Sequence, residues 1–510
     1  MTRTKTRDLK RSIPMAVWIV PLFVMAAAIA SPAQSFKTLY NFCSGLGEDC
    51  SDSVYFATLV QGTDGNFYGT AYSGDASHFG GQGMVFSITP GGTLTPLYSF
   101  CSQTGCADGA GPTYGLVLGN DGNFYGTTSN GGLSSGACKQ GFGGAGCGTV
   151  FKITPQGVLT TLHTFDFTDG AYPYDALIQG TDGNFYGTTF GGGNVCSNYS
   201  PYGCGTVFRM TPEGKLTTLH SFVGTDGEGL YGGLVQATDG NFYGTTYSGG
   251  TNASCNTYCG TLFKITAKGV LTTLHTFNGA DGSNPFGPLL QAADGNFYGT
   301  TISGGAQSYN RGTVFRVTAK GAITTLHSFC SSASNCSDGY WPQAGLIQAT
   351  DGNFYGTAEV GGVNGSGTVF QITPSGTLIA LHSFAHTDGR YPFAGVLQAT
   401  SGKFYGSTSE GGKSDCGGFG CGTIFGVSMG LGPFVKTSPT SGKVGASVII
   451  LGNNLTGSTA VSFNGSAAAF TVVSSTEITA TVPTGATTGT VEVTTPAKTL
   501  KSNVAFRVTP

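Results

Sequence analysis

The chain has 510 residues, of which 86 are glycine; 12% of its residues are aromatic and 10% are charged. Disordered chains are poor in aromatic residues and rich in charge, so this composition excludes extensive disorder and places the glycines in the turns of a folded protein. The formal net charge is −3, without a basic stripe, which argues against a nucleic-acid partner.

The N-terminus has the pattern of a secretory signal peptide. Five basic residues within the first 11 precede the apolar run from Met15 to Ala30, and small residues follow it. We therefore predict a signal peptide over residues 1–33 and a secreted protein, extracellular, periplasmic or at the cell surface. An uncleaved N-terminal anchor is the alternative, although the run is short for a membrane span. We expect no membrane span in the mature chain.

A seven-residue segment, Asp-Gly-Asn-Phe-Tyr-Gly-Thr, recurs along most of the chain. Its six copies begin at Asp64, Asp121, Asp182, Asp239, Asp294 and Asp351, and a divergent seventh begins at Ser401. Successive copies are separated by 50 to 61 residues. A recurrence at this spacing indicates a repeat architecture.

Residues 177–222 illustrate one repeat. An apolar run over 177–181 ends in Asp182-Gly183, a strong hairpin signal, and residues 184–189 form the second strand. A glycine-containing loop leads to a third strand over 205–211, and the turn at Pro212 leads to a fourth over 216–222. Each repeat is thus predicted to be a four-stranded antiparallel sheet, with strands a, b, c and d.

The two ends of the repeat region complement each other. Residues 36–42 have the pattern of strand d, whereas the last repeat ends after strand c, at Phe425. A linear solenoid has no reason to permute its ends in this way, whereas a ring of sheets does. We therefore predict an all-β fold with a seven-bladed β-propeller over residues 36–430, in which the N-terminal strand closes blade 7.

The repeat resembles the GloVer tandem repeat of exported "choice-of-anchor" bacterial proteins. The residues that carry the resemblance are the seven-residue segment, the Gly-Thr-Val-Phe-Lys-Ile-Thr strand that begins at Gly148 and the Leu-Thr-Thr-Leu-His-Thr-Phe strand that begins at Leu159. The resemblance spans roughly residues 36–428. It implies an exported repeat protein, and it supplies no catalytic residues.

The composition changes to Thr, Ser, Val and Ala after Gly432. Short alternating strands predict a β-sandwich over residues 433–510. This segment resembles an IPT/TIG immunoglobulin-like domain through Pro439-Thr-Ser-Gly, Val448-Ile-Ile-Leu-Gly and Val461-Ser-Phe-Asn-Gly. The resemblance implies a spacer or interaction module.

The 14 cysteines fall into seven pairs of near neighbours. An even number in an exported chain predicts disulfides, and because no Cys-x-x-Cys spacing or partnering histidine occurs, we expect no metal site. The predicted pairs are Cys43–Cys50, Cys101–Cys106, Cys138–Cys147, Cys196–Cys204, Cys255–Cys259, Cys330–Cys336 and Cys416–Cys421.

All these pairs fall in the b–c and d–a loops, which vary in length and lie on one face of the predicted propeller. Function concentrates on variable loops of a rigid scaffold, so this loop face is the expected ligand surface. An Asp recurs in its d–a loops, followed by an aromatic residue such as Trp341; the binding candidates are Asp108, Asp169, Asp226, Asp281, Asp338, Asp388 and Trp341. The alternative is that these Asp residues only shape turns.

Two further groups of polar residues lie near the loop face. Five histidines share one position of strand d, where tyrosine stands in other copies, which favours a packing or hydrogen-bonding role. A few polar residues instead break the repeat and are the candidates for catalysis: His78, Glu359, His386, Arg390 and Glu410.

These patterns favour a non-catalytic binding or scaffold protein that recognises an extracellular glycan or a protein. We expect it to be a monomer without a cofactor. The alternative is a propeller-type lyase or hydrolase whose site lies at the seam of blades 6, 7 and 1. No Ser-His-Asp order, P-loop or zinc signature supports a more specific chemistry.

Overall fold

The computed structural model describes residues 1–2, 34–42, 58–72, 82–132, 136–139, 146–196, 202–251, 259–305, 310–331, 336–413 and 420–509. Within these ranges the chain is all-β and holds 39 strands, numbered β1 to β39 in chain order. The helical elements of the described residues are two short 3-10 turns, Thr104–Cys106 and Gly136–Lys139.

The repeats form four-stranded antiparallel sheets in which each strand pairs with the next along the chain. In sheets 1 to 4 the strands are β2 (Val60–Gln61), β3 (Phe67–Ala71), β4 (Met84–Ile88) and β5 (Leu94–Ser99); β6 (Val117–Leu118), β7 (Phe124–Thr128), β8 (Thr149–Ile153) and β9 (Leu159–Thr164); β10 (Ile178–Gln179), β11 (Phe185–Thr189), β12 (Thr206–Met210) and β13 (Leu216–Ser221); and β14 (Val235–Gln236), β15 (Phe242–Thr246), β16 (Thr261–Ile265) and β17 (Leu271–Thr276).

Sheets 5 to 7 repeat this order with two variations. Sheet 5 has an additional short strand, and the last strand of sheet 7 comes from the N-terminus. The strands are β18 (Ser283–Pro285), β19 (Leu290–Gln291), β20 (Phe297–Ser303), β21 (Thr313–Val317) and β22 (Ile323–Ser328); β23 (Ile347–Gln348), β24 (Phe354–Ala358), β25 (Thr368–Ile372) and β26 (Leu378–Ser383); and β27 (Leu397–Gln398), β28 (Phe404–Thr408), β29 (Thr423–Ser428) and β1 (Ser35–Asn41).

Strand β1 pairs antiparallel with β29, as the strand-d pattern of residues 36–42 predicts. It also carries the same register shift that every c–d pair of the other repeat sheets shows. In sheet 3, for example, His220 faces Val207 and Thr218 faces Phe208, so Leu219 is an extra residue. Such a bulge shifts the alternation of side chains, which explains why the d strands do not alternate cleanly in sequence.

The seven-residue segment builds both a turn and a contact between sheets. In the first copy the Asp64 carboxylate accepts hydrogen bonds from the Asn66 backbone N–H, the Asn66 side-chain amide and the Tyr68 hydroxyl, at 2.7 to 3.0 Å. Gly65 has φ +82°, which favours glycine. Five later copies repeat these bonds with Asp121, Asp182, Asp239, Asp294 and Asp351.

The Tyr of each segment packs on the Phe of the next sheet. The ring centroids are 4.0 to 4.3 Å apart in the pairs Tyr68–Phe124, Tyr125–Phe185, Tyr186–Phe242, Tyr243–Phe297, Tyr298–Phe354, Tyr355–Phe404 and Tyr405–Phe67. The last pair joins sheet 7 to sheet 1. The same two sheets share one buried core, which contains Phe42, Phe67 and Ile424.

A second contact between sheets comes from the Gln at the end of strand a. In sheet 4, for example, Gln236 Oε1 accepts the backbone N–H of Thr181 in sheet 3 at 2.9 Å. The same bond links sheet 7 to sheet 1, where Thr400 N donates to Gln61 Oε1 at 2.9 Å. Sheet 2 has Leu118 at this position, so the contact between sheets 1 and 2 lacks the bond.

Residues 435–508 have a buried core of their own, which includes Val448, Phe463 and Ile478. Their sheets are antiparallel except for one parallel pair. One sheet contains β30 (Lys436–Ser438), β32 (Ser447–Leu451), β36 (Glu477–Thr481) and β35 (Phe470–Val472); another contains β34 (Ser466–Ala467), β33 (Ala460–Phe463), β37 (Val491–Thr494) and β38 (Thr499–Lys501); the parallel pair is β31 (Ser441–Lys443) and β39 (Arg507–Thr509).

This C-terminal unit packs on the side of the repeat sheets that carries the Asp-Gly turns. Thr476 Oγ1 donates to Thr63 O at 2.7 Å, and an Arg507 guanidinium N–H donates to Ala237 O at 3.0 Å. Leu451 belongs to the same buried cluster as Leu118. The loops that carry the cysteines lie at the opposite ends of the strands.

Four of the predicted disulfides are present in the described residues: Cys101–Cys106, Cys138–Cys147, Cys196–Cys204 and Cys330–Cys336. Cys259 and Cys421 are also disulfide-bonded, and their expected partners, Cys255 and Cys416, lie outside the described residues. The pair Cys43–Cys50 lies outside them as well.

We predict that deleting residues 35–42 lowers the melting temperature and the free energy of unfolding markedly. Phe36 packs on His382, Phe384 and Phe425, with ring centroids 3.6 to 5.7 Å apart, and Phe42 is buried. At about 25 cal/mol per Å² of apolar surface, losing this strand costs several kcal/mol, a large share of a typical ~5–15 kcal/mol.

The measurement is thermal and guanidinium unfolding of the deletion variant, with Lys37→Ala as a control because Lys37 is exposed on the same strand. Lys37→Ala should unfold like the parent. A deletion variant that also unfolds like the parent would show that β1 does not complete sheet 7 in solution.

Candidate functional site

In the six d–a loops whose Asp the structure describes, that Asp bonds to strand d of its own repeat unit. Five Asp carboxylates accept from or pair with a histidine Nε2 at 2.7 to 3.1 Å: Asp169 with His163, Asp226 with His220, Asp281 with His275, Asp338 with His327 and Asp388 with His382. At the equivalent position Tyr98 donates its hydroxyl to Asp108 at 2.8 Å. The histidines therefore have the hydrogen-bonding role that their interchange with tyrosine suggests.

The second oxygen of these carboxylates orders the loop. Asp169 Oδ1 accepts the Asp166 backbone N–H at 3.1 Å, and Asp226 Oδ1 accepts that of Val223 at 2.9 Å. Burial alone would raise the pKa of Asp226, but its bonds to His220 and to Val223 N hold that pKa below its usual value. Internal bonds thus occupy the carboxylates expected to bind ligand, and ligand binding by the Asp set stays a prediction.

A cluster of aromatic side chains forms where the d–a loops of several sheets converge. Tyr231 lies at its centre, with ring centroids 5.3 Å from Tyr174, 4.7 Å from Phe190, 5.1 Å from Tyr247 and 4.4 Å from Phe286. These residues come from sheets 3, 4 and 5. All five are only partly buried. Tyr231 and Phe286 are stacked with an interplanar angle of 17°, so each of these two rings has one face covered by the other.

The d–a loops can be aligned on the first apolar residue of strand a. The residue two positions before it, which directly follows Tyr231 or Phe286 in sheets 4 and 5, is small in most copies: Gly232, Gly287, Ala344 and Ala394. A Cβ on Gly287 would lie 2.4 Å from the backbone N of Gly345, so the chains approach closely here. Tyr114 and Asp175 are the large exceptions. The Tyr114 ring is 5% exposed and lies 6.5 Å from that of Phe286, which belongs to a sheet three positions away.

Asp175 is a buried carboxylate in this interior. Its oxygens accept the backbone N–H groups of Ala176, at 2.6 Å, and of Gly233. Burial raises the pKa of Asp175 to about 6, although these two bonds favour the ionised form. Among the ion pairs of the described residues none includes Asp175.

Glu359, Glu410 and Arg390 make side-chain contacts in the loops next to sheets 6 and 7. Glu359 Oε2 accepts a hydrogen bond from the Gln343 side chain, and Glu410 Oε2 lies 3.3 Å from Arg390 Nη1. Burial, opposed by the Gln343 bond and assisted by the charge of Glu410, raises the pKa of Glu359 to about 7. The Arg390 guanidinium also lies 4.1 Å from the centroid of the Tyr391 ring.

Contacts between the loops link the acidic and aromatic groups into one set. The Tyr114 ring lies 6.5 Å from that of Phe286, and burial, followed by the charges of Asp175, Tyr231 and Glu359, raises the pKa of Tyr114 well above its usual value. We name the following set the axial cluster: Tyr114, Tyr174, Asp175, Tyr231, Phe286, Gln343, Glu359, Arg390 and Glu410.

Trp341 lies at the edge of the axial cluster. Its backbone carbonyl accepts the Glu359 N–H at 3.2 Å, and its φ of +57° is uncommon for a residue with a side chain. The Arg311 guanidinium lies 4.3 Å from the Tyr340 ring centroid and 5.8 Å from that of Trp341. A cation and two aromatic faces therefore extend the site toward sheet 5.

The structure brings together three of the five catalytic candidates: Glu359, Arg390 and Glu410. His386 is exposed on the loop that precedes Arg390, and His78 lies outside the described residues. Sequence reasoning missed Asp175 and Gln343. Aligning the d–a loops on the first apolar residue of strand a would have found both, because each replaces a different residue type at its position in the other copies.

Chemically, this arrangement offers aromatic faces together with two carboxyl groups, an amide and a guanidinium. In the described part of the chain no group of three or more His, Cys, Asp and Glu residues could hold a metal ion. No helix within the described ranges is long and apolar enough to cross a membrane.

We predict that Glu359→Gln makes the protein more stable at alkaline pH. Because the folded-state pKa of Glu359, about 7, lies above its ordinary value of 4.5, ionisation opposes folding. The contribution of the Glu359 carboxyl to the free energy of unfolding is fully present below pH 4.5 and is lost as the pH rises through 7. A shift of this size corresponds to about 3 kcal/mol.

The measurement is the free energy of unfolding of the parent and of Glu359→Gln between pH 5 and pH 9. The difference should favour Glu359→Gln increasingly toward pH 8, whereas the exposed Glu213→Gln should follow the parent throughout. A difference that does not change with pH would contradict the environment assigned to Glu359.

Comparison with solved structures gives matches of low sequence identity. A fungal alcohol oxidase of the AA5 family, solved with copper, is 12% identical with a TM-score of 0.49, covering 90% of this chain and 98% of its own. The periplasmic gluconolactonase of Pseudomonas aeruginosa is 14% identical with a TM-score of 0.42, covering 73% and 97%. A gluconolactonase of Xanthomonas campestris is 11% identical with a TM-score of 0.36, covering 79% and 92%. Likeness at this level carries no argument about activity.

No curated protein matches the chain. The sequence model of the Gloeobacter/Verrucomicrobia repeat matches it three times, over residues 28–253, 194–425 and 251–473. These matches confirm the tandem repeat, and together they span most of the sequence. The chain therefore belongs to the Gloeobacter/Verrucomicrobia repeat family.

Proposed function

We propose that residues 36–430 form a closed seven-bladed β-propeller and that residues 433–510 form an Ig-like sandwich of the IPT/TIG type. The Tyr405–Phe67 ring contact and the Gln61–Thr400 bond between sheets 7 and 1 support closure, because all other sheet contacts use the same ring pair and all but that between sheets 1 and 2 use the same bond. The signal-peptide pattern over residues 1–33 and the disulfides support export to an oxidising environment. The protein acts as a monomer at the cell surface or outside the cell.

We propose that this protein binds an extracellular carbohydrate at the axial cluster. One observation carries this function: the partly buried rings around Tyr231 include Phe286, whose neighbour Gly287 lies against the backbone of Gln343, and the Gln343 amide bonds to Glu359. Aromatic rings offer rigid apolar faces to the C–H faces of a sugar, and planar polar groups fix the orientation of its hydroxyls. A site of this composition suits a sugar better than a purely apolar ligand.

The axial cluster takes the place of the recurring Asp residues as the ligand site in this proposal. The Asp carboxylates already bond to strand d, whereas the aromatic and polar groups of the axial cluster differ from sheet to sheet. A binding site for an asymmetric ligand needs such differences. A protein ligand that engages the wider loop face is the competing outcome.

Cleavage of the bound carbohydrate is the second candidate function. The observation that favours it is the contrast between two carboxyl groups: Glu359 is half-buried with a pKa of about 7, and Glu410 is ion-paired with Arg390. A carboxyl that titrates near neutral pH can donate a proton to a leaving oxygen, and a second carboxyl in a different environment can serve as the base.

We predict that the purified protein retains oligosaccharides on a glycan array and that Tyr231→Leu weakens this binding at least tenfold. Leucine keeps apolar volume but lacks the ring face, and tenfold corresponds to about 1.4 kcal/mol. Glu359→Gln should weaken binding less, because glutamine keeps a planar polar group. The control is Val195→Ala, at an exposed position of a b–c loop.

Unchanged binding by folded Tyr231→Leu would place the ligand elsewhere, and an array without any bound glycan would favour a protein ligand. Incubation of the parent with each retained glycan then tests catalysis. Products that form with the parent but not with Glu359→Gln support cleavage. Bound glycan that stays intact excludes cleavage and leaves the binding function standing.

A further inference from the structure

A second concave site lies on the side of the repeat sheets opposite the axial cluster. It is a cleft of about 240 Å³ between the a strands of sheets 5 to 7 and the C-terminal unit. Leu290, Ile347 and Leu397 supply its wall from the repeat sheets, and Val504 supplies it from the C-terminal unit. Most of this wall is apolar, as in typical small-molecule sites.

One cation lines this apolar cleft, and its Nζ lies 5.6 Å from the centroid of the Phe434 ring. Lys436, at the start of β30, lines the cleft and donates one hydrogen bond from Nζ to the backbone carbonyl of Gln398. An ammonium group carries three donors, and none of the ion pairs within the described ranges includes Lys436. Burial lowers the pKa of Lys436 to about 8, as expected for a cation without a counter-charge.

The other polar side chains of the cleft are uncharged. The amides of Gln348 and Gln398 are already used between sheets, because their Oε1 atoms accept the backbone N–H groups of Ala293 and Thr350. Thr437, Thr440, Ser502 and Asn503 complete the lining. Lys436 is therefore the only ionisable side chain among the residues that line the cleft.

We propose that this cleft binds a small amphipathic carboxylate, whose anionic end pairs with the Lys436 ammonium and whose apolar body packs on Leu290, Ile347, Leu397 and Val504. Such a ligand supplies the counter-charge that the described residues do not provide. A charge pair that is shielded from water is stronger than one at the surface, and burial of the apolar body adds to the affinity. The site is independent of carbohydrate binding at the axial cluster.

The charge of Lys436 also determines how binding depends on pH. The carboxylate pairs with the protonated amine, so affinity is highest below the pKa of about 8 in the free protein. Above that value the protonated fraction falls tenfold with each pH unit. The association constant should fall in the same proportion until the amine of the complex begins to titrate.

Octanoate is the probe that tests this proposal, with its uncharged analogue octanamide as the ligand control. Calorimetric titration of the full chain at pH 7 should show binding of octanoate and at least tenfold weaker binding of octanamide. Lys436→Met, which keeps the apolar stem and removes the charge, should lower octanoate affinity at least tenfold. Lys501→Met removes a mostly exposed lysine of the same unit and should bind like the parent.

Val504→Trp gives a second test, because Val504 is 52% exposed and a larger side chain there can fill the cleft without disturbing a core. It should abolish octanoate binding while leaving the melting temperature close to that of the parent. This variant decides the matter if Lys436→Met fails to fold. Equal affinity of the parent and Val504→Trp, or no octanoate binding by the parent at millimolar concentration, would overturn the proposal.

Discussion

The close packing of a tyrosine ring on the phenylalanine ring of the next sheet is the interaction on which the repeat structure depends. It occurs between every pair of successive repeat sheets, with centroids 4.0 to 4.3 Å apart. The two rings are adjacent in sequence, so one points to the preceding sheet and the other to the following one. The Asp of the hairpin turn fixes the tyrosine by accepting its hydroxyl, as Asp239 does for Tyr243 at 2.9 Å. Turn and contact are thus specified by the same seven residues.

This constraint explains why variation is confined to the ends of the sheets. Bonds to the Asp of the seven-residue segment order the a–b turns, and the His–Asp pairs order the d–a loops. Because the backbone is held by these bonds, the residues that follow them in the loops can differ from one repeat to another. Tyr114, Asp175 and Glu359 are such departures, and the charges of Asp175 and Glu359 contribute to the raised pKa of Tyr114. At the other side, the contact that lacks a Gln bond, between sheets 1 and 2, is where Thr476 and Leu451 of the C-terminal unit pack.

Much of the repeat could be predicted from the sequence, because its signals are local. The hairpin at Asp182-Gly183, the four strands of each repeat and the pairing of residues 36–42 with the last sheet follow from turn residues and periodicity. The site depended on contacts between distant repeats, which one sequence does not reveal. Glu359 and Arg390 were found because they break the repeat. Asp175 was missed because its loop can be aligned with the other copies only from the start of the strand that follows. The cleft at Lys436 depends on where the C-terminal unit packs, which no local pattern determines.

The most direct test of this account is a double-mutant cycle on the contact between the last and first sheets. Phe67→Leu, Tyr405→Leu and the double variant would be compared by equilibrium unfolding with the same substitutions at Tyr243 and Phe297. The account predicts a coupling of about 0.5–1.5 kcal/mol at both pairs, because in both the ring centroids are 4.2 Å apart. Coupling at Tyr243 and Phe297 with none at Phe67 and Tyr405 would contradict the closure of the sheets into a ring.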